Sequence, residues 1–355
     1  MSALRIEQVT TKKVIPKTED LVFGKHYTDH MFVMDYQEGK GWYDPRIVPY
    51  ESITLDPAAM VFHYGQTVFE GLKAYRTEDN QIKLFRPDEN FKRLNRSSER
   101  LSMPQINEKD VLNYLKELIK IDQDWVPAED GYSLYIRPFV IATEPNLSLA
   151  PSRSYRLMII LSPVGSYYKE GIHPVGIHVE EAFTRAVKGG TGTAKTAGNY
   201  SAAYKAQEKA TKEGYSQVLW LDGIEKKYIE EVGSMNVFFK INGEVVTPEL
   251  NGSILEGITR MSIIELLKTW GVPLSERRIS LDELFRAYEQ GLVEEAFGTG
   301  TAAVISPIGE LNWNGKKMII NNKETGEVAK QLYETLTGIQ TGKVADPFHW
   351  TVNVR

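Results

Sequence analysis

The stretch Lys188–Tyr200, KGGTGTAKTAGNY, concentrates more potential chemistry than any other part of the chain. One lysine, Lys195, stands among glycine, alanine and threonine, and the helix-compatible run SAAYKAQEKATKEG follows it. An amine that must reach a planar ring needs small neighbours, so that the ring can approach the backbone. A lysine in a partly desolvated setting also loses proton affinity, which favours imine chemistry. Composition alone favours a glycine-rich surface loop with a solvated lysine. A third reading is a phosphate-binding loop. Gly189–Thr196, GGTGTAKT, nearly fits G-x-x-x-x-G-K-T, and VLWLD at Val218–Asp222 could pose as its acidic metal-binding strand. Ala194 departs from that pattern where a glycine is needed for backbone N–H groups to wrap phosphate.

Other residues suggest acid, base or anion-binding work. LEGITR, Leu255–Arg260, precedes an amphipathic run with Met261, Ile264, Leu267 and Trp270 on one side, ending at Gly271 with Pro273 beyond. A helix start offers unpaired N–H groups and a positive dipole end, which suits a dianion, with Ile258 and Thr259 as the expected donors. Gly298–Gly300 forms a second glycine-lined turn open to close backbone approach. Glu230 and Glu231 are rival carboxylates, and both also read as solvated strand-end charges. Arg137 lies inside the apolar run SLYIRPFV, where a buried arginine is rare unless paired. His26 with His30, and His173 with His178, lack the glutamate of a zinc-protease helix, and no G-x-S-x-G element supports a serine nucleophile.

The elements that must position these residues fall into two halves. The chain has 355 residues, 42% hydrophobic and 25% charged, which is enough for two packed cores. Its net charge of −5 gives no electrostatic footprint for nucleic acid. The absence of cysteine excludes disulfides, thiolate metal sites and a cysteine nucleophile. Neither a signal-type apolar region nor a membrane-length apolar run is visible, so a cytoplasmic protein is expected.

In the first half, Met31–Tyr36, Val61–Tyr75, Gln81–Phe85, Tyr132–Ile141 and Tyr155–Leu161 read as strands, being rich in β-branched and aromatic residues. Asp88 is expected to cap a helix burying Phe91, Leu94 and Leu101. Asn107 is expected to cap a second, with Val111, Leu115, Leu118 and Ile119 on one stripe. Pro163–Pro174 reads as a linker. Beyond it, Asn242-Gly243 signals a hairpin, Ser280 and Glu283 a capping box before a helix that stops at Gly291, and Val328, Leu332, Tyr333, Leu336 and Ile339 a late helical stripe. The expected fold is α+β with two domains: a small one over 1–163, a loop over 164–174, and a large one over 175–355, with the active site at their junction.

HYGQTVFEGLKAY (His63–Tyr75), SLYIRP (Ser133–Pro138), AKTAGNYSAA (Ala194–Ala203), EEVGSMNVFF (Glu230–Phe239), LEGITR and FGTGTAAVISP (Phe297–Pro307) occur in this order. In order and spacing they resemble the branched-chain amino-acid aminotransferases, fold-type IV enzymes that depend on pyridoxal 5′-phosphate. The resemblance runs over nearly the whole chain.

It implies that Lys195 is the Schiff-base lysine and proton carrier, and that Glu231, selected over Glu230 by the EVGSMN register, bonds the pyridine nitrogen. An anion there keeps the ring nitrogen protonated, so that the ring draws electrons from the substrate. Tyr200 would meet the cofactor's phenolic oxygen. Arg93, rather than Arg86 or Arg96, would bind phosphate together with Ile258, Thr259 and the Thr301 hydroxyl. The implied apolar pocket comprises Phe23, Tyr64, Phe69, Tyr135 and Tyr167. Arg137, with the hydroxyls of Tyr64 and Tyr135, would serve the side-chain carboxylate of glutamate. Ser234 and the backbone at Thr301 and Ala302 would take the α-carboxylate. A partner-subunit loop equivalent to TEPNLSLAPS, with Leu147 and Leu149, would close the pocket, so a homodimer is implied. The expected substrates are branched-chain amino acids, 2-oxo acids and glutamate, with no nucleic-acid, membrane or metal partner. Ala303 and Ser306 replace the Cys-x-x-Cys of mammalian members, so that redox switch is not expected. A D-amino-acid aminotransferase or aminodeoxychorismate lyase remains the alternative within the fold, and a phosphate-loop nucleotide-binding protein the alternative outside it.

Overall fold

The computed structural model describes residues 3–165 and 172–354. The chain forms two compact units: Met1–Tyr167, Ala194–Ala197 and Gly338–Arg355 make the first, Tyr168–Thr193 and Gly198–Thr337 the second. Both helices and strands are present in each unit, as the α+β expectation requires. Among the described residues, no helix is long and apolar enough to cross a membrane.

The first unit is built on a nine-stranded sheet among the described residues, whose central strands are Ser154–Val164 and Ser133–Ala142. These two pair antiparallel over ten registered positions, from Ser133↔Val164 to Ala142↔Tyr155. One face of the sheet carries Phe32, Leu134, Ile136, Leu157 and Ile159, and packs against Phe91, Leu94, Leu115 and Leu118 of two helices. The second of these helices, Glu108–Ile121, starts as expected: the Asn107 side chain accepts a hydrogen bond from the Asp110 N–H at 3.1 Å. Its stripe Val111, Leu115, Leu118 and Ile119 is buried, about 1.5–3 kcal/mol for each side chain.

Four local expectations are corrected. The helix Pro87–Arg100 begins two residues earlier than Asp88 as its cap would place it. Arg86 is the N-cap, in the left-handed region at φ 47°, and Pro87 with its preset φ opens the helix, leaving Asp88 in the first turn near the positive dipole end. The expected strand Val61–Tyr75 is instead a short helix, Met60–Tyr64, followed by strands Thr67–Phe69 and Leu72–Arg76. Gly65 at φ 58° closes that helix by donating its N–H to the Val61 carbonyl. The aromatic content of VFHY resembled a strand, but the left-handed glycine decides the stop. Residues 338–355, expected in the second domain, belong to the first unit, because strand Thr351–Asn353 pairs antiparallel with Ile82–Phe85 and Val354 enters the first core. Ala194–Ala197 joins the first unit too, through a Val68↔Thr196 bridge. Of the expected linker 164–174, residues 166–171 lie outside the described residues.

In the second unit the sheet closes on itself. Ile229–Val232, Gln217–Leu221, Val175–Glu180, Val304–Trp313, Val293–Gly300 and Met235–Ile241 pair in that order, and the last pairs back with the first. The hairpin at Asn242-Gly243 has both central residues at positive φ, 49° and 79°, matching a type I′ turn. Ser280 caps the helix Leu281–Glu289 by accepting from the Glu283 N–H at 3.1 Å, and Gly291 at φ 71° follows its end. Leu332, Leu336 and Ile339 of the late helix Glu327–Thr341 are buried.

Replacing Asn107 by Ala removes a side-chain cap from a helix that carries much of the first core. The expected cost is about 1 kcal/mol, read as a lower urea midpoint for the first unit's unfolding.

Candidate active site

Lys195 lies in the first unit, where its backbone is fixed from both sides. Its N–H donates to the Ser97 hydroxyl at 2.9 Å, and its carbonyl accepts from the Phe69 N–H at 3.0 Å. Thr196 donates its hydroxyl to the Thr67 carbonyl at 2.7 Å. These contacts remove the phosphate-loop reading. That loop needs its N–H groups to converge on an anion and a full helix behind them. Here the lysine N–H is used on Ser97, and the helix that follows, Ala197–Ser201, is only five residues long. The Lys195 amine sits 4.9 Å from the centre of the Phe69 ring.

Around it the first unit assembles a charged and aromatic cluster. Arg93 is only 4% exposed, whereas Arg96 is exposed and Arg86 stacks on Trp350, which separates the three arginines that the sequence left close together. The Arg93 guanidinium grips the buried Glu70 carboxylate two-pronged, at 2.6 and 2.8 Å, and Asn90 adds a bond at 2.8 Å. Burial pushes the Glu70 carboxyl up. The charge and hydrogen bonds of Arg93, with Lys195 and Asn90, outweigh that and hold it below its ordinary value. On strand Ser133–Ala142, Arg137 donates to the Tyr135 hydroxyl at 3.0 Å and lies 4.8 Å from the Phe69 ring centre. Its buried Nε has no hydrogen-bond partner among the described residues. Tyr135 in turn meets Phe23 edge-on at 4.9 Å. Gly71 makes room for this: a Cβ there would stand 2.1 Å from the Tyr135 hydroxyl. Lys73 faces Tyr135 across the strand pair, and burial pushes its amine down to about 8.

Tyr64 does not join this cluster. Its hydroxyl donates to the Leu147 carbonyl at 2.5 Å, so it groups with the loop bearing Leu147 and the 90%-exposed Leu149. Tyr167 lies outside the described residues.

In the second unit, Tyr200, Glu231 and Ser234 line one cavity of about 260 Å³, together with Arg185, Trp220 and Leu255. Glu231 faces it and accepts from the Leu255 N–H at 2.8 Å. Glu230, its neighbour on the strand, bonds Ser253 and Asn251 instead, as alternation of strand side chains demands. Helix Ile258–Thr269 starts at Gly257 with no side-chain cap, which leaves the N–H groups of Ile258 and Thr259 for a ligand. A Cβ on Gly257 would lie 2.0 Å from the Asn236 amide oxygen, so any side chain there would have to displace that amide. Thr299, registered opposite Asn236, has a buried hydroxyl with no partner among the described residues. Thr301 and Ala302 form the adjoining turn. It closes on Val304 at φ 61°, a costly conformation for a β-branched residue. Ile258, Thr259, Thr301 and Ala302 do not line the cavity itself.

An uncapped helix start, an orphaned buried hydroxyl, and a carboxylate and a phenol facing a cavity suit a group with a phosphate at one end and a basic ring nitrogen at the other. The family model for amino-transferase class IV matches residues 67–311. The chain belongs to that family. It is 66% identical over 99% of its length to branched-chain-amino-acid aminotransferase 2 of Bacillus subtilis (strain 168), covering 97% of that protein. The branched-chain aminotransferase structure from Thermoproteus uzoniensis with norvaline superposes with a TM-score of 0.76 at 27% identity, over 92% of this chain and 100% of that one. The branched-chain amino acid aminotransferase of Escherichia coli gives 0.74 at 26% identity, over 91% and 99%.

For this class IV aminotransferase, sequence reasoning missed Glu70, the partner of Arg93, and Arg185, the neighbour of Glu231. FEGLK and FTRAVK held a clue, since each sets a charge among apolar residues, but the pairing partners are distant in sequence. Of the histidine pairs, His30 has both ring nitrogens engaged: it meets Asp122 at 2.6 Å and accepts from the Val9 N–H at 3.0 Å.

Arg93→Met would leave Glu70 buried without its cation, at a cost of about 3–5 kcal/mol in the first unit. In the wild type, Glu70 titrates below its unfolded value, so its contribution is present above the ordinary carboxylate range and lost on acidification. In the variant its carboxyl rises above that value. The gap in melting temperature between the two proteins should therefore narrow as pH falls, which thermal melts across the acid range would check.

Proposed function

We propose that this chain is a branched-chain-amino-acid transaminase that moves the amino group reversibly between L-leucine, L-isoleucine or L-valine and 2-oxoglutarate, as a pyridoxal 5′-phosphate-dependent homodimer in the cytoplasm. The observation that carries this is the 66% identity, over 99% of this chain, with a relative of that name. When bound, the cofactor supplies an aldehyde carbon for the amino group and a ring that accepts electrons.

The chain's own residues do the rest. Lys195 provides the amine that holds the cofactor and, once released, takes the proton from the substrate Cα. Glu231 presents an ionised oxygen to the ring nitrogen and keeps a proton there. Tyr200 offers its hydroxyl to the ring oxygen. The N–H groups of Ile258 and Thr259, the Thr301 hydroxyl and Arg93 bind phosphate. Arg93 does so while clamped by Glu70, which fixes its plane.

Phe23, Phe69 and Tyr135 enclose an aliphatic side chain and exclude water. Arg137 carries the specificity for the second substrate: its unpartnered Nε and its Tyr135-bonded end receive the glutamate side-chain carboxylate. Ser234 and the backbone at Thr301 and Ala302 orient the α-carboxylate. Tyr64, Leu147 and Leu149 form a surface suited to a second subunit, because apolar side chains this exposed are unusual on a solvated face.

A 2-oxoglutarate-coupled assay across L-leucine, L-isoleucine, L-valine, L-aspartate and D-alanine should give turnover with the first three. Turnover with D-alanine alone would overturn the assignment. Lys195→Ala should abolish transamination even when saturated with cofactor, and borohydride should fix the cofactor in the wild type only. Arg137→Ala should lose more kcat/KM with glutamate than with leucine; equal losses would remove it from carboxylate recognition.

A further inference from the structure

We propose that Arg185 is a positioning residue that keeps Glu231 ionised inside the second unit. The inference rests on the reading of Glu231 as partner of the ring nitrogen. Glu231 sits on strand Ile229–Val232, and its side chain is only 4% exposed. Its sheet partners Trp220 and Asn236 carry no charge. One carboxylate oxygen takes the Leu255 N–H at 2.8 Å, and the other lies 3.2 Å from Nε of Arg185. The Arg185 side chain, 8% exposed, is anchored at its far end to the Ser253 carbonyl. Gly192 approaches the same carbonyl so closely that a Cβ would lie 2.1 Å from it, which ties this arginine to the glycine-rich loop before Lys195.

The other titratable side chains lining the cavity are the phenols of Tyr200 and Tyr204, while Glu230 points away to Ser253 and Asn251. Arg185 is therefore the cation that faces Glu231 among the described cavity residues. A carboxylate this deeply buried takes up a proton unless a positive charge stands near it. A protonated Glu231 would donate to the ring nitrogen instead of accepting from it, and the ring would lose its proton. The Nε–H is not aligned as a hydrogen bond to the carboxylate, so the contact acts through charge more than direction, and the carboxylate can still turn toward a ring N–H.

The test is the affinity of the apoenzyme for pyridoxal 5′-phosphate, followed by tyrosine and tryptophan fluorescence from about pH 5.5 to about pH 8.5. Wild type, Arg185→Met, Arg185→Lys and Glu231→Gln are compared, and each variant is expressed as a ratio to wild type. Arg185→Met should bind about tenfold or more weakly at the acid end and recover as pH rises, because Glu231 then loses its proton without help. Arg185→Lys keeps the charge and should follow the wild-type profile with a smaller uniform loss; it decides the matter if the methionine variant does not fold. Combining Arg185→Met with Glu231→Gln should remove the pH dependence. A flat ratio for Arg185→Met, or an Arg185→Lys ratio that tilts with pH as the methionine variant is expected to, would overturn the proposal and leave Arg185 as a prop for the Ser253 turn. Wild-type affinity and turnover in Glu231→Gln would instead sink the underlying reading of Glu231.

Discussion

A carboxylate taken out of water stays charged only where a cation and N–H donors replace its lost hydration, and this chain meets that condition in each of its two units. In the first, Glu70 is fully buried and clasped by Arg93 and Asn90. In the second, Glu231 is held by the Leu255 N–H and the Arg185 charge. The two pairs differ in design. The Arg93–Glu70 pair is a two-pronged fork that fixes a plane. The Arg185–Glu231 contact is longer and not aligned as a hydrogen bond, so it sets a charge state and leaves orientation to other groups. Without these arginines both acids would neutralise, and the surroundings of Lys195 and of the cavity would lose their polarity.

Close backbone approaches do the remaining positioning. Gly71 lets the Tyr135 hydroxyl lie against the chain, Gly192 accommodates the Ser253 carbonyl, and Gly257 lets Asn236 wrap the start of a helix. In each case a single methyl group would occupy the space of a polar atom. The strained Val304 closes the turn after Gly300 and belongs to the same economy of space, since the residues it constrains, Thr301 and Ala302, are those expected to meet ligand.

Much of this was legible in the chain itself. The Asn107 cap, the Asn242-Gly243 turn, the Ser280 cap and the buried helical stripes follow from local chemistry, because each depends on residues a few positions apart. Arg137 stood out because a guanidinium inside an apolar strand needs a partner. The region 60–76 misled, because aromatic and β-branched residues suit strands in general, while the left-handed Gly65 imposes a break in particular. The C-terminal strand was also missed: the edge it completes, Ile82–Phe85, lies far away in sequence.

Sequence by itself determined the family and the order of the motifs, since these rest on residue types in fixed local registers. Only tertiary structure decided which of three neighbouring arginines is buried, which of two adjacent glutamates faces the cavity, and that Glu70 and Arg185 belong to the polar framework at all. Those choices depend on which face of a strand or helix meets a distant partner. Partners 23 residues apart for Arg93 and Glu70, or on separate elements for Arg185 and Glu231, are set by folding rather than by neighbours in the chain.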